Sequence, residues 1–149
     1  AGLLLSKYIR AQELGLVLEF DPTSRLSKPL PDALTADDLT TILGNLLDNA
    51  FESTLKNPDS SKQISLLISD QTNELVIEVA DNGTGIDPTI ADTIFERGVT
   101  TKEENGHGYG MYLIQRYVSH AGGHIILDDA DPVGAIISLF IPLQGQAYE

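Results

Sequence analysis

The sequence predicts an α+β domain: a two-layer α/β sandwich whose mostly antiparallel, mixed sheet is covered on one face by helices. Three observations carry this expectation. Segments near residues 3–13, 39–50 and 111–120 combine helix formers with apolar residues, the last two at three- and four-residue steps, the period of a helix with one buried side. Short runs at 16–20, 64–69, 75–80, 125–127 and 135–141 alternate apolar with polar residues or are β-branched, as strands are. The order of these segments is helix, strand, helix, two strands, helix, two strands, and no internal repeat interrupts it.

Each element has its own local reason. Leu3, Leu4, Leu5, Tyr8 and Ile9 lie among helix formers that stop at Gly15, a helix terminator. Leu16, Leu18 and Phe20 alternate with Val17 and Glu19 in a strand closed by Asp21-Pro22, and the proline-bearing stretch to residue 34 reads as loop. Thr35-Ala36-Asp37-Asp38 carries a capping signature, a hydroxyl for orphan N–H groups and a carboxylate at the third helical position. In the helix that follows, Leu39, Ile42, Leu43, Leu46, Leu47 and Ala50 form one buried stripe, while Asn45, Asp48, Asn49 and Glu52 share the opposite face.

After a polar loop at 56–62, Ile64, Leu66 and Ile68 alternate with Ser65 and Ser69, and a turn at 70–73 leads into residues 75–80, an antiparallel hairpin. Residues 81–110 are rich in Gly, Thr and charge, with one short helical patch near 90–95. So long an irregular stretch inside a compact domain serves a function. Helical spacing returns from Met111 to His120 and stops at Gly122-Gly123, and the last two strands flank a turn at 131–134.

Composition bounds the function classes. With 149 residues and 42% hydrophobic content, the chain is one domain able to bury its own core. It has no cysteine, which excludes disulfides and thiolate metal sites. No apolar run reaches the roughly 20 residues of a membrane span and no signal peptide opens the chain, so the stretch reads as soluble. A net charge of −13 repels nucleic acid and anionic lipid, and neither is expected as a partner. The same field opposes a polyphosphate, which would need a divalent cation and a local group of cations and backbone N–H donors, with Arg97, Lys102 and the helix start at Gly110 as candidates.

Three constellations suggest such a ligand. Asn45 and Asn49 stand one turn apart, able to aim two amide oxygens at one Mg²⁺, or else are two solvated surface residues. Asp81-Asn82-Gly83-Thr84-Gly85 follows a strand and is either a tight turn or a loop in which Asp81 accepts from an adenine amino group while Gly83 and Gly85 let the backbone approach the base. The continuation through Ile86 and Asp87-Pro88 weighs against a plain hairpin. Gly106-His107-Gly108-Tyr109-Gly110 precedes the helix at Met111 and suits a phosphate, although its spacing is neither a dinucleotide fingerprint nor a P-loop and a flexible loop is the alternative. Arg97, Lys102 and His107 bring cations to this segment, which could close over a triphosphate as a lid; Glu96, Glu103 and Glu104 dilute them. His120 and His124 lack companions at metal-ligand spacing and read as structural.

Taken together, the runs Asn45–Ala50, Asp81–Gly85, Phe95–Gly98 and Gly106–Gly110 resemble the N box, first glycine box, F box and second glycine box of the catalytic ATP-binding domain of two-component sensor histidine kinases. The segments 44–53 and 95–102 look most like the citrate and C4-dicarboxylate sensor kinases. The resemblance implies the Bergerat fold of the GHKL proteins, with ATP/ADP and Mg²⁺ as ligands. Asn49 would match the Mg²⁺ ligand with Asn45 beside it, and Asp81 the adenine-reading carboxylate, with Gly83, Gly85 and Ile86 around the base. Gly106, His107, Gly108, Tyr109, Gly110 and Met111 would match the lid and phosphate segment, Arg97, Thr101 and Lys102 its lid-side contacts, and Ser138 the small hydroxyl residue beneath adenine.

The resemblance further implies that residues 1–14 end an upstream dimerisation helix or a linker, and that 15–149 are the catalytic domain. Where the superfamily's ATPases carry a Glu that activates water, this chain has Asn45, so the γ-phosphoryl is kept for a histidine. Lys102 would share in catalysis from the lid. That histidine belongs to a dimerisation and histidine-phosphotransfer module absent from this sequence, with relay to a response regulator. The parent would be an inner-membrane sensor with this domain in the cytoplasm. A GHKL-type ATPase or serine kinase, and a degenerate nucleotide-binding module, are the competing readings. Glu52 departs from the Lys that many histidine kinases have there, although the citrate branch shares the Glu.

Overall fold

The computed structural model describes residues 2–57, 62–85, 107–131 and 133–143, with 107–109 described by backbone alone. Within them α1 (Gly2–Leu14), β1 (Val17–Phe20), α2 (Ala36–Leu55), β2 (Gln63–Ser69), β3 (Glu74–Asp81), α3 (His107–His120), β4 (His124–Asp129) and β5 (Ala135–Pro142) follow in sequence. The five strands form one sheet in the order β1-β2-β3-β5-β4. β1 runs parallel to β2, which the intervening α2 crossover permits, and every other pairing is antiparallel.

Strand alternation sorts the sheet into two faces. Ile64 and Leu66 of β2, Leu75, Ile77 and Val79 of β3, and Ile137, Leu139 and Ile141 of β5 are all buried and meet Ile42, Leu43, Leu46 and Leu47 of α2 and Met111, Ile114 and Val118 of α3 in one core. The α2 stripe expected from the sequence is thus the seam between layers. β1 only partly follows its alternation: Leu16 and Leu18 are buried, whereas Phe20 is 42% exposed at the strand's end. Among the described residues, no helix is long and apolar enough to cross a membrane.

Helices α1 and α3 stop where glycine permits. Gly15 and Gly122 take φ of +76° and +78°. Each lets the next residue donate back across the last turn, Leu16 N–H to the Ala11 carbonyl at 2.8 Å and Gly123 N–H to the Val118 carbonyl at 2.9 Å. The start of α2 is a complete capping box, in which the Thr35 hydroxyl accepts from Asp38 N–H at 3.0 Å and the Asp38 carboxylate from Thr35 N–H at 3.1 Å. Thr35→Ala is expected to remove about 1 kcal/mol, which lowers the melting temperature by roughly 2–4 °C. Calorimetric melts check it, with ligand affinity unchanged because the cap lies at the far end of α2 from the site.

The loop between β1 and α2 is pinned by Asp70, fully buried at the β2–β3 turn. Its carboxylate accepts from the backbone N–H groups of Ser27 at 2.8 Å and Lys28 at 2.5 Å and from the Gln71 amide at 2.7 Å. Burial opposes ionisation there, but these donors and the Lys28 charge outweigh it and hold the carboxyl below its usual range.

Candidate nucleotide site

A cavity of about 450 Å³ opens between the three helices, lined by Asn45, Asp48, Asn49, Phe51, Glu52 and Leu55 of α2, Arg10 and Leu14 of α1, and Gly110 and Met111 of α3. The polar face of α2 therefore fronts a cleft instead of bulk solvent. Asn45 and Asn49 enter it one turn apart. Gly110 packs so closely on Asn45 that a Cβ there would stand 3.2 Å from the amide oxygen. A side chain at 110 would crowd the Asn45 amide, and the sequence has none.

Asp81 ends β3 on the core face of the sheet, opposite Ile64 and Ala135, and is 6% exposed. Burial raises its carboxyl above the usual range. The backbone N–H of Gly83, that of Ala135 and the Ser53 hydroxyl pull the other way without cancelling it. The Gly83 N–H donates at 2.8 Å and the Ser53 hydroxyl at 3.4 Å. Ser53 is one helical turn beyond Asn49, so the Asp81 loop lies on α2 directly past the two amides.

The loop is held there on several sides. The Asn57 amide donates to the Asn82 carbonyl, and Asn82 exchanges bonds with Gln63 at the start of β2, its side chain accepting at 2.9 Å and its N–H donating at 3.2 Å. Gly83 lies so close to Ser53 that any Cβ would overlap the Ser53 hydroxyl, carbonyl carbon and carbonyl oxygen. A Cβ on Gly85 would meet the Gly134 carbonyl at 3.3 Å. Buried Met111 and the carboxylate of Asp81 thus flank the same stretch of α2 from α3 and β3.

One expected residue faces elsewhere. Ser138 pairs with Glu78 and Ile126, whereas Asp81 pairs with Ala135. The three-residue offset is odd, so Ser138 points to the sheet face opposite Asp81 and does not lie beneath a base held by it. The β5 residue beside Asp81 is Ala135, acting through its backbone N–H. Ile86, Arg97, Thr101, Lys102 and Gly106, together with the helical patch near 90–95, lie outside the described residues. His107, Gly108 and Tyr109 form the first turn of α3, which begins at His107 instead of Met111. The first four N–H groups of a helix have no internal partner, so glycine weakens a first turn little and the second glycine segment enters the helix.

Sequence reasoning missed Ser53, Ala135 and Arg10. Ser53 was within reach, since it continues the four-residue spacing of Asn45 and Asn49. Ala135 reaches Asp81 through its main chain and Arg10 lines the cavity because α1 packs on α2, and neither leaves a local signal. His124 stacks on Phe140 with ring centroids 5.0 Å apart, the structural part expected of it.

A one-faced sheet with amides on its central helix and a buried carboxylate one turn further along defines an ATP-binding domain of the GHKL fold. The chain belongs to the histidine kinase-, DNA gyrase B- and HSP90-like ATPase family, whose model matches residues 35–145. It is 49% identical over 96% of its length to the sensor histidine kinase CitA of Klebsiella pneumoniae and 47% identical over 95% to the sensor histidine kinase DpiB of Escherichia coli, and spans 26% of each. Its fold matches the catalytic domain of histidine kinase ThkA with a TM-score of 0.75 at 19% identity, covering 95% of this chain and 90% of that one. It also matches full-length ShkA in complex with AMPPNP at a TM-score of 0.71 and 28% identity, over 95% of this chain and 29% of that one.

Proposed function

We propose that this chain is the catalytic domain of a citrate- or C4-dicarboxylate-type sensor histidine kinase, which binds Mg²⁺·ATP between α2 and α3 and passes the γ-phosphoryl to a histidine on a separate dimerisation module. The observation that carries it is the seating of buried Asp81 on Ser53, one turn along α2 from Asn49, which lines the cleft. The AMPPNP complex of the related ShkA structure and the names of the curated relatives support the same reading.

Asp81 accepts from the adenine amino group, while Gly83 lets the loop pack on Ser53 and keep its N–H on the same carboxylate. Asn45 and Asn49 present hard amide oxygens from one helix face, a donor set suited to Mg²⁺, which keeps waters and completes its shell with phosphate oxygens. An ion held there would supply charge neutralisation to the phosphates. The first turn of α3, residues 107–110, offers N–H groups that the helix itself does not pair and a positive helix end to the phosphates. The resemblance assigns further nucleotide contacts to Ile86, Arg97, Thr101, Lys102 and Gly106, which lie outside the described residues. Residues 1–14 connect the domain to the upstream module, and relay runs to a response regulator from a cytoplasmic position beneath a membrane-anchored sensor.

Catalysis here is positioning. No carboxylate stands at Asn45 to take a proton from water, and an amide cannot serve, so the phosphoryl group survives until an imidazole arrives. Asn45→Glu is expected to raise ATP hydrolysis by the isolated domain by at least about tenfold, read by phosphate release, with Asp81 and Asn49 intact. The phosphotransfer reading is tested by mixing the native domain and labelled ATP with the dimerisation module of a relative. Acid-labile, alkali-stable label on that module is expected, and its absence despite nucleotide binding would contradict histidine transfer.

A further inference from the structure

We propose that Arg10, on α1, binds the phosphate end of the nucleotide, so that the first helix contributes charge to the site as well as packing. This rests on the nucleotide reading above. Arg10 lines the same cavity as Asn45, Asn49 and Gly110. The cavity-facing side of α2 brings two carboxylates, Asp48 and Glu52, and no cation, within a chain of net charge −13. A polyphosphate there needs a positive partner that α2 does not supply.

The two α1 cations are disposed differently. Lys7 is committed to Asp48 at 2.5 Å and offsets that carboxylate. Arg10 bonds only Glu13 among the described residues, at 3.3 Å, with the two side chains 59% and 61% exposed. A solvated pair three residues apart on one helix contributes little, so the guanidinium can change partner at small cost. The helix beneath it is anchored: Ala11, the next residue, is 1% exposed in the core, and Leu3 packs on α2 at Gly44, 3.7 Å from where a Cβ would stand. A planar, weakly hydrated guanidinium on a fixed helix is the side chain best suited to grip phosphate oxygens in pairs. Phosphate affinity then depends on α1 remaining docked on α2.

The test is calorimetric titration of the native domain, Arg10→Gln and Arg25→Gln with AMP, ADP and a non-hydrolysable ATP analogue in Mg²⁺. Arg25 bridges to Ser69 at the far end of β2, so its substitution changes net charge equally without touching the cavity. Arg10→Gln is expected to weaken the triphosphate about fivefold to tenfold and AMP by less than about twofold, at an unchanged melting temperature. Arg25→Gln is expected to leave all three ligands unaffected. Equal losses for AMP and the triphosphate, no loss at all, or an equal effect of Arg25→Gln would overturn the proposal. A native domain that binds none of the three would instead bring down the nucleotide reading, and this inference with it.

Discussion

Asp81→Asn is expected to weaken nucleotide binding by about tenfold to a hundredfold, the loss of a buried charged hydrogen bond, while the free domain melts at the same or a slightly higher temperature at pH 7. The carboxyl is buried and its pKa is raised, so the folded state binds its proton more tightly than the unfolded chain does. A group shifted in this direction contributes stability below its unfolded pKa and loses it as pH rises through the folded value. At neutral pH the ionised carboxylate is therefore a cost carried for function, and the amide removes it while keeping an oxygen for the Gly83 N–H. The ionised form is also the better acceptor for an adenine amino group. Native affinity is accordingly expected to fall as pH drops through a midpoint above that of an ordinary carboxylate, while the variant's weak binding stays flat there. Titrations at stepped pH with parallel melts read both signs.

Gly83→Ala is expected to damage fold and site together. The added methyl would overlap the hydroxyl, carbonyl carbon and carbonyl oxygen of Ser53, and two of these atoms are backbone that cannot rotate aside. The loop must lift from α2, carrying away the N–H that donates to Asp81 at 2.8 Å. Overpacking of this kind costs about 1–3 kcal/mol, a fall of roughly 2–10 °C in melting temperature, and nucleotide affinity is expected to drop at least about tenfold with the displaced carboxylate. Adding Ser53→Ala should not rescue it, because the clash with the main chain remains. Rescue by that second substitution would show that the hydroxyl alone sets the approach.

What the sequence revealed divides along local and non-local lines. The cap at Thr35, the α2 stripe, the β2–β3 hairpin and the glycine stops at Gly15 and Gly122 each depend on neighbours within a turn or a tight connection, and all are found as expected. Motif order is what points to the amide pair and Asp81, and the fold seats Asp81 on Ser53, one turn past Asn49. Register between β3 and β5 joins residues far apart in sequence, and nothing within β5 alone says which residue faces Asp81. Ser138 carries the hydroxyl that the resemblance calls for, but an odd offset of three residues turns it to the other face. The start of α3 was misplaced for a different reason: glycine signals a loop by propensity, yet costs little in a first turn. Whether Arg10 reaches the cavity depends on how α1 packs across α2, a tertiary fact with no trace in spacing.

The central claim is that Asp81, Asn45 and Asn49 converge on one metal-bound nucleotide, and a single calorimetric titration tests it most directly. The native domain is titrated at neutral pH with a non-hydrolysable ATP analogue, once in Mg²⁺ and once in excess chelator. One site per chain is expected, tighter in Mg²⁺ by at least about tenfold as amide and phosphate oxygens complete the shell together. Absence of binding in both buffers, or an affinity indifferent to Mg²⁺, would contradict it.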